Sequence, residues 1–483
     1  MKKVFAALCA AFLLTASALA AVECVDQTIE GLPNTCPTLS SSLERWSSPM
    51  TSFIYENDDG TLTLLREGCG EDGQKIRVDI YSSDLQVLST SLIDYELPLF
   101  GGFYHGGKYN YIVFGRKNTE LDDSLEVLRA VQYDHNFRKT GSAGVSDVYT
   151  KTPFDAGSLR MAESDDLLVV HTSRLRYDGH QSQLTVIFRT DPFRLDTQAM
   201  EQLRGHYASH EFQINHVSHS FNQFVRFEGD DIVLIDHGDA YGRGIQFSVL
   251  GNSSRGRYLS SKTLLLQVPG KSGANQTGIS IGGFEISSSS YLVTYSAIDA
   301  DRVSEYSSFY MYDGNGSVIY ESQQERDAVI LAAPRTDPAD TSVIKLTDYT
   351  GTGKCASAPY LCDMGSDRYL VLWERFACGE GVISPYCEGV CALVVDGMGN
   401  ALSPESFTPE CRLSRDCQPV IYNNIAVWFV DGPAFDIDIP MRSVYWLDVS
   451  VYADAPAEYY TVPGAVNTDE DVSFRALLCG PDL

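Results

Sequence analysis

Residues Phe53–Leu65 read FIYENDDGTLTLL, Arg160–Thr172 read RMAESDDLLVVHT and Phe224–Asp236 read FVRFEGDDIVLID. Each is a short apolar stretch, an acidic polar turn, then a run rich in β-branched and aromatic residues, the pattern of two strands joined by a tight turn. The same form returns at Gly102–Phe114 (GFYHGGKYNYIVF), Phe284–Ser296 (FEISSSSYLVTYS), Leu361–Glu374 (LCDMGSDRYLVLWE) and Pro419–Val430 (PVIYNNIAVWFV). Roughly 30 residues after most of these segments begin, a further strand runs into a turn. Examples are Tyr81–Leu88, Tyr133–Gly141, Phe188–Asp196, Phe247–Gly256, Tyr312–Tyr320 and Leu447–Ala455. In the sixth unit the matching Val395–Ser403 comes later, delayed by the cysteine-bearing insertion Cys378–Cys387.

A unit of roughly 60 residues with room for four strands buries one face poorly when alone. Neighbours packed around an axis bury both faces. The sequence therefore predicts an all-β fold, a β-propeller of seven blades with four antiparallel strands in each. Helical periodicity is nearly absent. The remaining segments at Val22–Met50 and Asp448–Leu483 are expected to help close the ring. Residues 21–50 thus form an N-terminal segment ahead of a single propeller domain over 51–483. A clasp from Cys24 or Cys36 to Cys479 would join the termini.

Residues 1–20 are expected to be a secretory signal peptide. Lys2 and Lys3 precede the apolar run Val4–Leu14, and Ala18-Leu19-Ala20 has the small-x-small form of a cleavage site. No later stretch approaches the eighteen apolar residues of a membrane span. The chain has 36 Lys+Arg against 64 Asp+Glu, a formal charge of −28. Such a chain lacks the basic footprint of a nucleic-acid binder. Seven of the twelve cysteines crowd between Cys355 and Cys417, with no histidine among them. In an exported protein that pattern reads as disulfides rather than zinc.

The repeat assigns faces. The turns between the first and second strands of each unit lie at one end of the disc. The loops between the second and third strands, and the connections into each first strand, lie at the other. The acidic turns at Glu56, Glu163 and Glu228 are read as solvated turns, since Ser287–Ser290 and Gly365 stand in the same slot elsewhere. Seven of the nine histidines fall between His171 and His237. His171 takes a column held by Ile235, Tyr295, Trp373 and Phe429, and reads as core. His180, Gln181, His219, Asn222, Gln223, Asp236, His237, Asp239 and Arg243 gather toward the loop face of two adjacent units and are the candidate ligand-binding residues. His216, His219, His237 and Asp239 are candidates for a divalent metal. Arg174, Arg176, Arg226 and Arg243 lie near enough to hold a carboxylate or acidic sugar. Gly278–Gly282 matches G-x-S-x-G but opens a strand, so it is not a nucleophile elbow.

The runs His171–Gln183 (HTSRLRYDGHQSQ), Ser218–Phe224 (SHSFNQF) and Asp236–Arg243 (DHGDAYGR) resemble those of secreted, mostly bacterial propeller-like proteins of uncharacterised function. The resemblance implies a propeller and export, and brings no catalytic assignment. Two functions remain open: a binding module for a glycan, peptide or protein at the loop face, or a hydrolase or lyase acting on an extracellular polymer through His and Asp.

Overall fold

The computed structural model describes residues 19–29, 32, 47–204, 212–240, 242–320, 324–379, 382, 384–415, 417–434 and 437–452. The expected leader (almost all of it), His206, His210, Cys36 and Cys479 lie outside the described residues. The fold is an all-β propeller. Its antiparallel units follow one another along the chain, mostly with four strands, but the third carries a fifth strand and the last takes its outer strand from the N-terminal segment. In the first, Ser52–Glu56, Leu62–Cys69, Lys75–Tyr81 and Val87–Asp94 pair in that order. The later inner strands are Leu99–His105, Leu159–Glu163, Ser220–Glu228, Ile279–Ile286, Tyr360–Asp363 and Val420–Tyr422. Each touches the next, and the first meets the last, so they surround a central channel.

Burial follows the strand period. Leu167–Arg176 is buried at nine of its ten positions, because both faces of a middle strand meet a neighbouring unit. The outer strand Val87–Asp94 is exposed at seven of eight positions. Apolar clusters fill the interfaces between units, one of them running from the second unit through the third to the fourth. Tyr55, Leu65 and Ile112 join the first to the second, Phe224 and Val293 the fourth to the fifth, and Ile54, Leu64 and Val427 the first to the seventh.

The seventh unit is completed from the other end of the chain. Its strands Val420–Tyr422, Ile425–Ala434 and Ile437–Asp448 are followed outward by Glu23–Thr28, which pairs antiparallel with Ile437–Asp448 from Glu23↔Trp446 to Thr28↔Met441. Gln27 of this strand accepts from the Tyr81 hydroxyl at 2.9 Å, across the seam into the first unit. Deeper in the seam, Arg442 forks onto both Asp431 oxygens at 2.7 and 2.8 Å and reaches Asp79 at 2.8 Å. Arg77 and Thr90 also hold Asp79. Arg442 and Asp79 are fully buried.

Two sequence expectations need correction. In the fifth unit the third strand is Arg326–Pro334, not the segment at Tyr312. The apolar run Ala328–Ala333 fills the ladder beside Ser290–Ile298, while Glu305–Tyr306, Met311–Tyr312 and Val318–Ile319 form a small sheet of their own in the intervening loop. The connection from the third unit to the fourth carries a helix, Thr197–Arg204, capped by Asp196. No disulfide is formed among the described cysteines. Most sit singly in apolar interfaces, as Cys391 and Cys362 do, acting as small hydrophobic side chains. Cys355 and Cys378 share one cluster with Phe376.

Before the first unit, the chain crosses the loop face. The Ser47 N–H donates to the Phe221 carbonyl of the fourth unit at 3.0 Å, and Ser48 Oγ accepts from Arg415, ahead of the seventh, at 3.0 Å. No described helix is long and apolar enough to cross a membrane.

The seam carries a pH signature. Burial alone would raise the Asp79 carboxyl, but the Arg77 hydrogen bond and the Arg442 charge outweigh it and hold the group below its ordinary range. Its contribution is therefore complete above about pH 4, the unfolded value, and is lost as pH falls through the lower folded value. Asp79→Asn is expected to cost about 3 kcal/mol at pH 7, by removing one of the two carboxylates that hold the buried Arg442 guanidinium. The gap to wild type should narrow below about pH 4, as urea melts at pH 7 and pH 3 will show.

Candidate functional site

Two strand ends build the site. Leu167–Arg176 turns through Tyr177–His180 into Gln181–Thr190, and Asp231–Gly238 turns into Gly244–Ser253. Both turns sit on the loop face, beside the connection Val217–His219 into the fourth inner strand. The structure separates the candidates into two layers.

The lower layer is scaffold. His171 is fully buried, with Nε2 3.1 Å from Asp236 and Nδ1 3.0 Å from Thr185, which agrees with its reading as core. Asp236 also accepts from Ser220 at 2.6 Å. Gln223 is tied to Ser158 and Ser220, and Asn222 donates to the Ile281 carbonyl at 2.8 Å. His237 meets Thr277 at 3.1 Å. These groups stitch the third, fourth and fifth units together and satisfy one another.

The upper layer opens to solvent. His219 keeps 28% of its side chain exposed, and its Nδ1 lies 3.0 Å from Asp239, whose side chain is buried. The backbone of His219 is left-handed, at φ 50°, and its N–H donates to the Gln181 carbonyl at 2.9 Å. A non-glycine residue in that region is strained, and the surrounding contacts must hold it there. His180 is exposed, its ring 5.9 Å from that of His219. Gln181 Oε1, Asp239 Oδ2, Gln246 Nε2 and Gln276 Oε1 are buried without a hydrogen-bond partner.

Arg243 donates to the carbonyls of Pro269, Ala274 and Gln276, so it braces the adjoining loop. The other three arginines are likewise engaged. Arg174 donates to Val148, Arg176 pairs with Asp178, and Arg226 forks onto Glu285.

The metal candidates do not converge. Among the described residues no three His, Cys, Asp or Glu side chains form a metal-ligating group. His216 points elsewhere, packed edge-on against Phe212, and His237 serves Thr277. Strand parity put these residues on one face without fixing which side of the sheet each would take.

Sequence reasoning missed three features. Asp155, in the connection ahead of the third inner strand, is held above its ordinary range by burial, with Lys117 opposing. Its carbonyl accepts from Gln181 at 3.3 Å, which places it beside the site. Phe309 and Tyr310 stand exposed on the small inserted sheet, joined to the site where Gln276 donates to the Phe309 carbonyl at 3.1 Å. Their aromatic cluster was visible in the sequence, but its place in a loop was not. Third, residues of the acidic turns after Glu163 and Glu228 face a cleft. With the helix Thr197–Arg204 they line a polar cleft of about 520 Å³ at the opposite end of the disc, including Asp165, Asp230, Arg189 and Arg257.

No family model matches the chain, and no curated protein matches it. Solved structures do share its course. Polysaccharide lyase Uly1 is 8% identical with a TM-score of 0.45, over 90% of this chain and 100% of that one. An α-L-arabinanase of Penicillium chrysogenum is 8% identical with a TM-score of 0.38, over 89% and 99%. The Aleuria aurantia lectin is 10% identical with a TM-score of 0.35, over 75% and 98%. At such identities the likeness is one of fold alone.

His216 gives a measurable pH effect. Burial, then the charges of Arg176, Lys262 and Arg174, push its pKa down to about 3. The unfolded chain takes up that proton near pH 6.5, so stability falls as pH drops from about 6.5 towards 3. Replacing it by glutamine (H216Q) should flatten that part of the stability–pH curve, measured by denaturant melts at half-unit steps.

Proposed function

We propose that this is an exported propeller of seven blades, closed by its N-terminal segment, that binds a hydroxyl-rich ligand, a glycan, on its loop face. One observation carries the reading: Gln181, Asp239, Gln246 and Gln276 present buried hydrogen-bonding atoms that no group among the described residues satisfies. A buried polar atom without a partner is costly, and the cost is recovered when a ligand supplies the partner. Three of these atoms are oxygens that accept and one is an amide nitrogen that donates, which suits sugar hydroxyls. Phe309 and Tyr310 add flat apolar surface at the edge, the usual division between orienting polar groups and apolar contact area. The leader at residues 1–20 and the strongly acidic chain support export to a compartment outside the cytoplasm, with no nucleic-acid partner.

A second reading rests on the His219–Asp239 pair. A buried carboxylate fixes the imidazole through Nδ1, which leaves Nε2 to exchange a proton with a substrate. Asp155, held toward its protonated form, is the nearby acid. On this reading the protein is a hydrolase or lyase acting on an extracellular polymer.

Glycan-array binding followed by calorimetry on the best ligand tests the first reading. The Phe309→Ala/Tyr310→Ala double variant should bind about tenfold more weakly, a loss of about 1.4 kcal/mol, with an unchanged melting temperature. Absence of binding to every arrayed glycan overturns it. Chain cleavage of a bound glycan that His219→Ala abolishes, with binding retained, decides for the enzyme.

A further inference from the structure

Arg160 stands on the inner strand Leu159–Glu163, facing the central channel near its loop-face end. Its guanidinium lies over the Phe224 ring at 5.1 Å, and Nη1 donates only to the Leu159 carbonyl at 3.2 Å. Nε is buried with no partner, and no carboxylate pairs with the group among the described residues. Glu285, on the next inner strand but one, is taken up by the two-pronged contact with Arg226 at 2.6 and 3.1 Å. Tyr360 and Arg415 close the same end: the Tyr360 hydroxyl donates to the Arg415 carbonyl at 2.8 Å, and Arg415 reaches Ser48 of the crossing segment.

We propose that the loop-face end of the central channel is an oxyanion site, built on Arg160 with Arg226 and Arg415 beside it, that takes a carboxylate or sulfate group. A guanidinium enclosed without a counter-charge is costly, and proteins pair such groups or bind an ion to them. A planar fork with free N–H groups matches the two oxygens of a carboxylate or sulfate. The electrostatics agree. Burial pushes the Arg160 pKa down to about 10, Tyr360 opposes this, and the charges of Arg226 and Arg415 lower it further. At neutral pH the group stays charged. The four arginines singled out in the sequence each have a partner, so the central anion-binding role falls to Arg160, outside that set, with Arg226 only lending its charge from beside it. This site does not depend on the glycan reading, since it uses none of the same atoms.

The test is thermal melting of the mature protein in sodium sulfate against sodium chloride at matched ionic strength. A saturable upward shift of about 2–4 °C in sulfate is expected for wild type. It should vanish in Arg160→Gln, which should melt no lower than wild type when sulfate is absent. A shift that grows without saturating and is equal in both proteins is the general effect of an excluded salt, and overturns the site. Should the variant fail to fold, wild-type crystals soaked in selenate give the second measurement: anomalous density at Arg160 supports the site, and its absence sinks it. Glucuronate that displaces selenate where glucose does not assigns the group to an acidic sugar. Displacement by sulfate alone assigns it to the free ion.

Discussion

The seam where Arg442 of the seventh unit meets Asp79 of the first is the constraint on which the rest depends. Each sheet is apolar on both faces, so none is stable until a neighbour covers each side. The other interfaces form between units adjacent in sequence. This one joins residues more than 360 positions apart, Arg442 to Asp79. It carries the largest loop-closure entropy in the molecule. The chain meets it with strand pairing over Glu23–Thr28, an apolar cluster around Val427 and Leu64, and a buried ionic network. A buried ion pair adds little net stability but penalises any register that leaves one charge alone. Here it selects the closed ring over an open or slipped one.

With the ring closed, loops far apart in sequence share one face, and the irregular ones can specialise. Polar burial is concentrated between the third, fourth and fifth units, where His171, Asp236, Ser220 and Gln223 satisfy one another beneath the surface. Above them the satisfaction stops, at Asp239 and Gln276. Local rules are broken in the same place: His219 is left-handed and Asp239 is buried with one oxygen unmet. Conflicts of this kind persist where the fold overrides local preference, and they cluster at working surfaces. Most other units have apolar residues in the corresponding column, such as Trp373 and Phe429.

The sequence by itself determined the strand period, the repeat, the turns between first and second strands, and hence the propeller class. Those features depend on residues close together in the chain, where alternation and turn chemistry suffice. It also singled out a stretch for the candidate site, because a run such as Asp236–Arg243 is too polar for its slot. What it left open was set by contacts across the ring. Which histidine would be locked in scaffold and which left half open depended on the neighbouring blade, so His171 found Asp236 and His219 found Asp239. Arg160 was unremarkable in sequence, and only the enclosure of the channel by seven strands left it without a counter-charge. The physical reason is the same in each case: side-chain partners here come from strands some 60 residues away in the chain, and no local pattern encodes a pairing that only ring closure creates.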